Sequence, residues 1–343
     1  MNAMTEMVNY RHEKVLFINN EKAGLKAIIA VHNTNLGPAI GGCRLFPYAS
    51  YDDALFDVLR LSRGMSHKNA VAGLPHGGGK GVIIADPSQK TEAMFEAFGE
   101  AVNNLGGDYI TAEDVNTTCD DALVMLRKTN HICGLPQNSG DPSPFTARGV
   151  WQGIRATAKV ALGRDDLEGL TIAVQGLGKV GYDLCRHLHN SGAKLIIANR
   201  SNQAMAQKAV EEFGAKIVAT EEIYAQECDI FSPNAMGAIL NPTTIPQLKC
   251  KAVAGGANNQ ILDLASGEAL KARGIFYAPD FVINGGGVIN AAAEVDGPYN
   301  KDAVLAKVDN IYNSIEHILS ESKKTGEPEG IIATRYAESL IYK

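Results

Sequence analysis

The sequence lacks the features of membrane and secreted proteins. No uninterrupted apolar run approaches the roughly 20 residues that a membrane-spanning helix needs. The first residues, MNAMTEMVNYRHE, do not have the charged and then apolar layout of a signal peptide. Internal repeats and low-complexity tracts are also missing. These absences predict a cytoplasmic protein that has no membrane partner.

Cysteine and charge patterns argue against further classes of protein. The six cysteines are scattered, with no C-x-x-C pair and no Cys/His cluster at zinc-ligand spacing. They are typical of buried thiols in a reducing compartment, and we expect no metal site. The net charge of −6 gives no electrostatic reason to expect nucleic acid as a partner. A small-molecule substrate is therefore the better expectation.

Two domains are expected, because 343 residues is long for one hydrophobic core. Apolar residues at helical spacing predict a helix over 51–65. Turn formers fill residues 134–144, GLPQNSGDPSP, which is the best candidate for an interdomain linker. Beyond residue 169 short apolar strands alternate with helical stretches, which predicts an α/β fold with a parallel sheet covered by helices. Further helices are predicted over 304–323 and 331–342.

A dinucleotide-binding fingerprint, G-x-G-x-x-G, lies directly after an apolar strand and opens a helix. Gly176 permits the tight turn, Gly178 lets the backbone approach a pyrophosphate, and Gly181 lets helix and strand pack closely. The helix that opens with Lys179 and Val180 would face the phosphate with its free N–H groups. The alternative is a glycine-rich turn without a ligand. The context favours NAD or NADP as cofactor in a Rossmann-type, doubly wound domain.

Cofactor choice depends on the end of the second strand of this domain, about 20 residues after the glycines. An acidic side chain there would bind the ribose 2′-hydroxyl and repel a 2′-phosphate. This sequence has Asn199-Arg200-Ser201 instead. Asn199 removes the repulsion, and Arg200 and Ser201 could hold a phosphate. The pattern slightly favours NADP or dual use over strict NAD, and the alternative is that Arg200 points into solvent.

A lysine follows a compact glycine turn in residues 73–81, GLPHGGGKG. The segment is not a P-loop, because Gly81 stands where that loop needs Ser or Thr. The turn lets the ammonium of Lys80 lie close to backbone and substrate, partly desolvated, where a lysine can act as a general base. Lys68 lies twelve residues upstream as a neighbouring cation. The alternative for each lysine is a solvated surface charge.

Residues 111–117, TAEDVNT, place two acids in a turn before a predicted helix. In one interpretation Asp114 or Thr117 caps that helix. In the other, one carboxylate of the turn enters a site and shuttles a proton. The residues alone leave both interpretations open.

Six motifs follow one another across most of the chain: LGPAIGGCRLFPYAS, RLSRGMSHKNAVAGLPHGGGKGVIIADP, TAEDVNTT, AVQGLGKVG, AGGANNQ and APDFVINGGGVIN. Together they resemble the amino-acid dehydrogenase family that includes leucine, valine, phenylalanine and, more distantly, glutamate dehydrogenases, with the leucine-type members nearest. The resemblance implies reversible NAD(P)-dependent oxidative deamination of an apolar L-amino acid, branched-chain ones first, to the 2-oxo acid and ammonia.

The resemblance also implies a domain layout and a homo-oligomer. Residues 1–140 would form an α/β domain for substrate binding, catalysis and oligomerisation. Residues 141–324 would form the Rossmann-type dinucleotide-binding domain, and residues 325–343 would pack back on the first domain.

Residue roles follow from the same resemblance. Lys80 would activate the water that attacks the imine, Asp114 would exchange protons with the amino group, and Lys68 would bind the α-carboxylate. Four further residues would lie against the substrate or the nicotinamide: Gly41, Gly42, Asn258 and Asn259. An apolar pocket for the substrate side chain would be lined by Ile40, Met65, Ala112, Val288 and Ala291.

This pocket argues against glutamate as substrate, because a γ-carboxylate buried there without a partner would be costly. Ala291 stands where leucine-type members tend to have valine, so larger aliphatic or aromatic side chains become plausible. A difference of this size supports a preference of roughly 1–3 kcal/mol. His76 stands where the family usually has an apolar residue, and it is either a pocket residue or a structural one. The family's leucine-type members commonly carry an acid at Asn199, so the resemblance does not imply a preference for NAD.

Phenylalanine or tryptophan dehydrogenase is the nearest alternative activity. A dinucleotide-binding regulatory protein without turnover is an alternative from another class, and its cofactor binding would not depend on Lys80. A 2-hydroxy-acid dehydrogenase would typically need a histidine base with an arginine for the carboxylate, and no such pair stands in a suggestive context.

Overall fold

A computed structural model describes residues 2–135 and 139–343. The chain divides into two compact units. Unit 1 comprises Met1–Asp141, Val288–Asn300 and Ala337–Lys343, and unit 2 comprises Pro142–Gly287 and Lys301–Tyr336. The first boundary falls within the stretch predicted as a linker, of which residues 136–138 lie outside the described residues.

Unit 1 contains a mixed sheet with helices on both faces. Its strands run in the order β1-β2-β5-β3-β6, and β4 also pairs with β5. The strands are β1 Lys14–Asn20, β2 Leu25–Asn33, β3 Ala39–Ile40, β4 Cys43–Phe46, β5 Gly77–Ile84 and β6 Tyr109–Ile110. The helices of its first segment are α1 Ala3–Asn9, α2 Tyr51–Val71, α3 Glu92–Asn103 and α4 Cys119–Leu126. β2 runs antiparallel to β1 and β5, whereas β3 and β4 are parallel to β5.

Two apolar clusters hold these helices on the sheet. On one face Leu55 and Val58 of α2 pack in a buried cluster with Val82 of β5. On the other face Phe95 and Phe98 of α3 belong to a cluster with residues of the sheet and of α4. Burying one such side chain is worth about 1.5–3 kcal/mol. The strand β5 is therefore fixed from both sides.

The helix α2 is longer than the predicted 51–65. It begins after Ser50, whose hydroxyl accepts the N–H of Asp53 at 3.1 Å, and it continues to Val71. The polar last turn is buried instead of exposed, because the Asn69 side chain donates to the carbonyl of Gly77 at 2.6 Å. Periodicity of apolar residues does not detect such a turn. The extension places Lys68 in the last turn of the helix.

Unit 2 contains a fully parallel sheet in the order β12-β11-β10-β7-β8-β9. Its strands are β7 Thr171–Gln175, β8 Lys194–Ala198, β9 Lys216–Ile217, β10 Ile230–Pro233, β11 Ala252–Val253 and β12 Phe276–Tyr277. This is the strand order of a Rossmann fold, in which the order of the strands reverses between β7 and β10. The predicted doubly wound parallel sheet is confirmed.

The remaining helices are α5 Ser143–Thr157, α6 Lys179–Asn190, α7 Gln203–Phe213, α8 Leu264–Ala272, α9 Asp280–Ile283, α10 Gly286–Ala292, α11 Lys301–Asp309, α12 Ile311–Thr325 and α13 Glu329–Ile341. Two of the four unit boundaries fall inside helices, in α10 and α13. The prediction of a single helix over 304–323 is wrong, because α11 ends at Asp309 and α12 begins at Ile311. The carboxylate of Asp309 binds Arg148 at 2.6 Å and Gln152 at 2.7 Å, both on α5. In the described part of the chain no helix is long and apolar enough to cross a membrane.

Three buried histidines cluster at α2: His67 belongs to the helix, and His12 and His32 pack against it. The rings of His12 and His32 lie 4.9 Å apart, and those of His32 and His67 lie 6.3 Å apart. The Nε2 atom of His12 is 2.7 Å from the Ser62 hydroxyl, and Nδ1 of His32 is 2.7 Å from the Ser66 hydroxyl. Hydrogen-bonded imidazoles thus help to fix the helix that carries Lys68.

These histidines make stability sensitive to acid. Burial lowers the pKa of His12 to about 4, of His32 to about 3 and of His67 to about 4, and the nearby Arg63 cation adds to each shift. Between about pH 6.5 and pH 4 the unfolded chain binds protons at these positions and the folded chain does not. Each histidine should therefore cost about 1.4 kcal/mol of stability per pH unit as the pH falls through this window.

The expected loss is measured by urea unfolding at several pH values and a fixed protein concentration. His32→Gln should remove about one proton from the slope of stability against pH. His131→Gln is the control, because this half-buried histidine lies outside the cluster. An unchanged slope in His32→Gln would contradict the assignment.

Candidate active site

Lys80 and Asp114, which come from separate sequence motifs, form an ion pair. Lys80 lies on β5 and is only 5 % exposed. Its Nζ atom is 3.1 Å from Oδ2 of Asp114, and Nε of Arg44 is 3.0 Å from the same oxygen. Burial opposes ionisation of Asp114, but the charges of Lys80 and Arg44 outweigh it and lower the pKa of this carboxyl. Asp114 is therefore held as a carboxylate beside the buried side chain of Lys80.

The structure excludes one of the two interpretations of the TAEDVNT turn, namely that Asp114 or Thr117 caps the following helix. The cap of α4 is Thr118, whose hydroxyl accepts the N–H of Asp121, so neither Asp114 nor Thr117 caps the helix. The hydroxyl of Thr117 instead accepts the N–H of Asp114 at 2.7 Å and donates to the carbonyl of Cys43 at 2.8 Å. This bond fixes the turn and leaves the Asp114 carboxylate for Lys80.

Arg44 is a site residue that sequence reasoning missed. Its Nη1 atom binds Asp57 of α2 at 3.0 Å, and the Tyr48 hydroxyl donates to the same Asp57 oxygen at 2.7 Å. Burial and this bond raise the pKa of Tyr48 well above its usual range. Arg44 thus connects α2 to Asp114. An arginine within the strand CRLF was a signal in the sequence, but local spacing does not predict a partner 70 residues away.

Two glycines allow the close approach that forms this site. A Cβ at Gly42 would lie 2.4 Å from the carbonyl oxygen of Glu113 and 2.9 Å from Cβ of Asp114. A Cβ at Gly41 would lie 1.8 Å from the carbonyl oxygen of Gly79. Any side chain at either position would push apart the segments that carry Asp114 and Lys80.

The residues predicted to bind the substrate lie in unit 1, in three groups. Met65 and Lys68 are three residues apart on α2 and half-buried, and the Met65 side chain lies 3.2 Å from where a Cβ of Gly41 would be. Ala112 and Ala291 both lie about 4 Å from the Cβ position of Gly134. The other two are Ile40, buried on β3, and Val288, half-buried on α10.

The segment Val288–Asn300 is anchored to the rest of unit 1 by polar contacts. The Glu294 carboxylate accepts the N–H groups of Gly134 at 3.1 Å and Leu135 at 3.3 Å. Nε2 of His76 lies 2.7 Å from Asp296, and His76 is 3 % exposed. These contacts favour the structural interpretation of His76, as a residue that holds the segment carrying Ala291. Sequence reasoning missed Glu294 and Asp296, because their partners lie far away in the chain.

In unit 2 the fingerprint glycines form the turn between β7 and α6. Gly176 has a positive φ of 91°, and a Cβ on it would lie 2.7 Å from the side chain of Ala235. A Cβ on Gly181 would lie 2.0 Å from the carbonyl oxygen of Gly176. α6 begins with Lys179 and Val180 behind Gly178, where no side chain caps the helix and nothing lies within 4 Å of an added Cβ. A helix N-terminus without a side-chain cap and a bare glycine surface fit a pyrophosphate.

Asn199 follows β8 and stabilises this turn. Its Oδ1 accepts the N–H of Leu177 at 3.2 Å, and its Nδ2 donates to the carbonyl of Asn202 at 2.7 Å. Arg200 is exposed beside it. An open cleft of about 490 Å³ is lined by Asn199, Gln203, Lys216, Ile217, Val218, Ala219, Thr220, Glu222 and Gln226.

Asn258 and Asn259 follow β11, at the same edge of the sheet as the glycine turn. Oδ1 of Asn258 accepts from the Asn284 side chain at 2.6 Å, and the carbonyl of Asn259 accepts the N–H of Ala238 at 2.7 Å. The loops after β10 and β11 are thereby joined. Oδ1 of Asn284 is buried without a hydrogen-bond partner among the described residues, so it can accept a donor from a ligand. Sequence reasoning did not identify Asn284.

Two family models match the chain. Residues 12–131 match the model described as Glu/Leu/Phe/Val dehydrogenase, dimerisation domain, and residues 195–336 match that of the glutamate/leucine/phenylalanine/valine dehydrogenases. The chain belongs to this family.

Comparison with individual proteins supports the same family assignment. The chain is 51 % identical to a leucine dehydrogenase of Geobacillus stearothermophilus over 339 residues, which is 98 % of this chain and 92 % of the relative. It is also 51 % identical to a leucine dehydrogenase of Bacillus subtilis, over 98 % of this chain and 93 % of the relative. The crystal structure of an L-tryptophan dehydrogenase from Nostoc punctiforme superposes with a TM-score of 0.91 at 41 % identity, covering 99 % of this chain and 98 % of that one.

The predicted amino-acid dehydrogenase activity and two-domain α/β fold of this dehydrogenase are confirmed by these relatives. The roles of individual residues stay predictions. Across residues 2–135 and 139–343, no group of three His, Cys, Asp or Glu side chains could hold a metal ion.

Alanine substitution in this dehydrogenase should have different effects at Gly42, which is closely packed, and at Gly64, which has open space around it. Gly42→Ala should lower kcat/KM about 100-fold, because the new methyl group displaces Asp114 from Lys80. Gly64→Ala should leave kcat/KM unchanged and stabilise the protein by roughly 0.5–1 kcal/mol, because Gly64 lies inside α2 with open space around it. Steady-state kinetics and thermal unfolding of both variants measure the difference. Equal kcat/KM values would refute the close approach of Gly42 to Asp114.

Proposed function

We propose that this enzyme catalyses the reversible oxidative deamination of an apolar L-amino acid, branched-chain ones first, to the 2-oxo acid and ammonia. The observation that carries the proposal is the buried Lys80–Asp114 pair beside the Gly41–Gly42 turn. Lysine and carboxylate are groups that can move protons to and from an amine and a water molecule.

Each residue of the site has a part in this reaction. Lys68 binds the α-carboxylate of the amino acid and, with the backbone of Gly41 and Gly42, orients Cα. Asp114, kept ionised by Arg44 and Lys80, accepts a proton from the substrate ammonium. Lys80, as the neutral amine, takes a proton from the water that attacks the imine. Asp114 returns its proton to the amino group and accepts the hydroxyl proton as ammonia departs and the carbonyl of the 2-oxo acid forms. The nicotinamide cofactor, when bound, supplies the redox chemistry by accepting hydride from Cα.

The cofactor would be held in unit 2. The pyrophosphate fits the turn of Gly176, Gly178 and Gly181, against the N–H groups of Lys179 and Val180. Asn258 and Asn259 would lie near the nicotinamide, with Asn284 behind them.

Dual use of NAD and NADP, with NADP slightly favoured, is the proposed cofactor preference. Asn199 is neutral and engaged with the glycine turn, so no carboxylate at this position repels a 2′-phosphate. Arg200 is exposed next to it, and Lys216 lines the same cleft as Asn199. Both cations can pair with a phosphate.

Substrate choice depends on the walls of the proposed pocket. Ile40, Met65, Ala112, Val288 and Ala291 are all apolar, and a carboxylate among them would be unpaired. The relatives named leucine dehydrogenases support branched-chain substrates. Aromatic amino acids are the second candidate, because Ala291 is small and the similar structure from Nostoc punctiforme is named an L-tryptophan dehydrogenase.

A homo-oligomer in the cytoplasm is the proposed state of the enzyme. The family model over residues 12–131 is described as a dimerisation domain, which supports self-association. The partners are then a second copy of the chain and small molecules: the amino acid, its 2-oxo acid and ammonia.

The reaction is tested by oxidation of NADH and NADPH in the presence of ammonium and 2-oxo acids derived from leucine, valine, phenylalanine, tryptophan and glutamate. Turnover should require ammonium and favour the branched-chain acids. Lys80→Ala should lower kcat by at least about 100-fold, the usual contribution of a general acid or base.

Lys90→Ala is the matched control for Lys80→Ala. Lys90 is half-buried and, like Lys80, is paired with a carboxylate, that of Asp121 at 2.6 Å. Its replacement should not lower kcat. Circular dichroism checks that both variants fold. Absence of ammonium-dependent turnover in the wild type would refute the proposed reaction.

The cofactor preference is tested with Arg200→Ala. This change should raise KM for NADPH about tenfold and leave KM for NADH unchanged, because a charge-assisted bond to phosphate is worth roughly 1.5 kcal/mol or more. Arg164→Ala replaces another exposed arginine, bonded to Asp166, and serves as the control. If KM for NADPH does not change, Arg200 points into solvent and does not bind the cofactor.

A further inference from the structure

Two cysteines stand side by side at the start of neighbouring strands in unit 2. In the parallel pair β10 and β11, Ile230 lies opposite Ala252. The same register, carried two residues back, places Cys228 opposite Cys250. The N–H of Lys251 donates to the carbonyl of Asp229 at 3.0 Å, which keeps the two chains paired immediately beside the cysteines. Neighbouring strands lie about 4.8 Å apart, within the Cα separations of about 4.4–6.8 Å that a disulfide spans.

The two thiols also point to the same side of the sheet. Cys250 belongs to a buried apolar cluster on one face, and Cys228 packs against the same cluster. Cys250 is 5 % exposed, whereas Cys228 is half-buried and reachable from solvent. None of the roles proposed for the dehydrogenase reaction uses either cysteine.

The surroundings activate one thiol of the pair. The interaction between the two neighbouring thiols lowers the pKa of Cys250 and raises that of Cys228. The Arg273 guanidinium adds a positive charge nearby, where it donates to the carbonyl groups of Ile245 and Leu248. A thiolate is the reactive form of cysteine, so Cys250 is the nucleophile and Cys228 is the thiol that completes the bond.

We propose that Cys228 and Cys250 are a modification site, at which a peroxide converts two thiols into one intramolecular disulfide. The Cys250 thiolate attacks the O–O bond of hydrogen peroxide, which forms a sulfenic acid and releases hydroxide. The Cys228 sulfur then attacks Cys250, forms the S–S bond and expels a second hydroxide. The two protons of the thiols neutralise these ions. The cysteines lose two electrons, and the peroxide is reduced to two water molecules.

The place of the bond determines its effect. Both cysteines lie at the amino ends of their strands, whereas the glycine turn and Asn258–Asn259 follow carboxyl ends. Because the strands are parallel, these are opposite edges of the sheet. The disulfide therefore closes the loop from β10 to β11 and stabilises unit 2 without touching the residues proposed to bind the cofactor.

The experiment treats the reduced full-length enzyme with a small excess of hydrogen peroxide and counts thiols after denaturation. Four of the six thiols should remain, and peptide mapping without reductant should show one Cys228–Cys250 link. The temperature midpoint of unfolding should rise, and dithiothreitol should reverse the rise. NADH binding, measured by its fluorescence, should not change.

Cys228→Ser and Cys250→Ser should each prevent the link and the rise in midpoint. Cys119→Ser, which replaces another half-buried cysteine in unit 1, should leave both intact. Six thiols remaining in the wild type would overturn the proposal. Further oxidation of Cys250 without a link, or a link to another cysteine, would overturn it as well. None of these readouts requires turnover, so they are independent of the proposed deamination.

Discussion

A lysine that is 5 % exposed needs a counter-charge, because an unpaired buried ammonium costs several kcal/mol. In unit 1 that charge is Asp114, and most other features of the site follow from bringing the two together. The carboxylate needs Arg44 as a second cation, and Arg44 in turn needs Asp57 and Tyr48 on its other side. The chain therefore builds a network of alternating charges around the pair.

The pairing of Lys80 with Asp114 also requires the strand that carries Lys80 to pack closely against its neighbours. β5 approaches its neighbours so closely that its first residues can carry no side chains, and the sequence there reads GGGKG. A Cβ on Gly78 would lie 2.0 Å from the backbone nitrogen of Ser66, and one on Gly79 would lie 2.5 Å from the ring of Tyr109. Because the backbone of β5 is closely packed on both faces, Lys80 has little conformational freedom. Such restriction of a reactive group favours one geometry over many.

Sequence patterns predicted the local features and missed the distant ones. The glycine turn after β7 and the parallel sheet could be predicted, because strand period, glycine spacing and helix starts are encoded in neighbouring residues. The contact of Arg44 with Asp114 spans 70 residues, and that of His76 with Asp296 spans 220, so no local pattern encodes them. Polar residues gave the clearest errors: the buried last turn of α2 and the break after Asp309 both depend on side-chain bonds to other segments. The presence of Lys80 and Asp114 in one site was implied only by resemblance to a family, and their direct contact was not predicted.

Unit 1 is assembled from three separate stretches of chain, and this has a consequence for synthesis on the ribosome. Met1–Asp141 leaves the ribosome before Pro142–Gly287 of unit 2, and Val288–Asn300 leaves after it. At about 5–20 residues per second, the roughly 150 intervening residues take about 7–30 s to translate. During that time the nascent sheet has no Asp296 for His76 and no Glu294 for the N–H groups of Gly134 and Leu135. The wall that carries Ala291 can thus be completed only after Pro142–Gly287 of unit 2 has been synthesised.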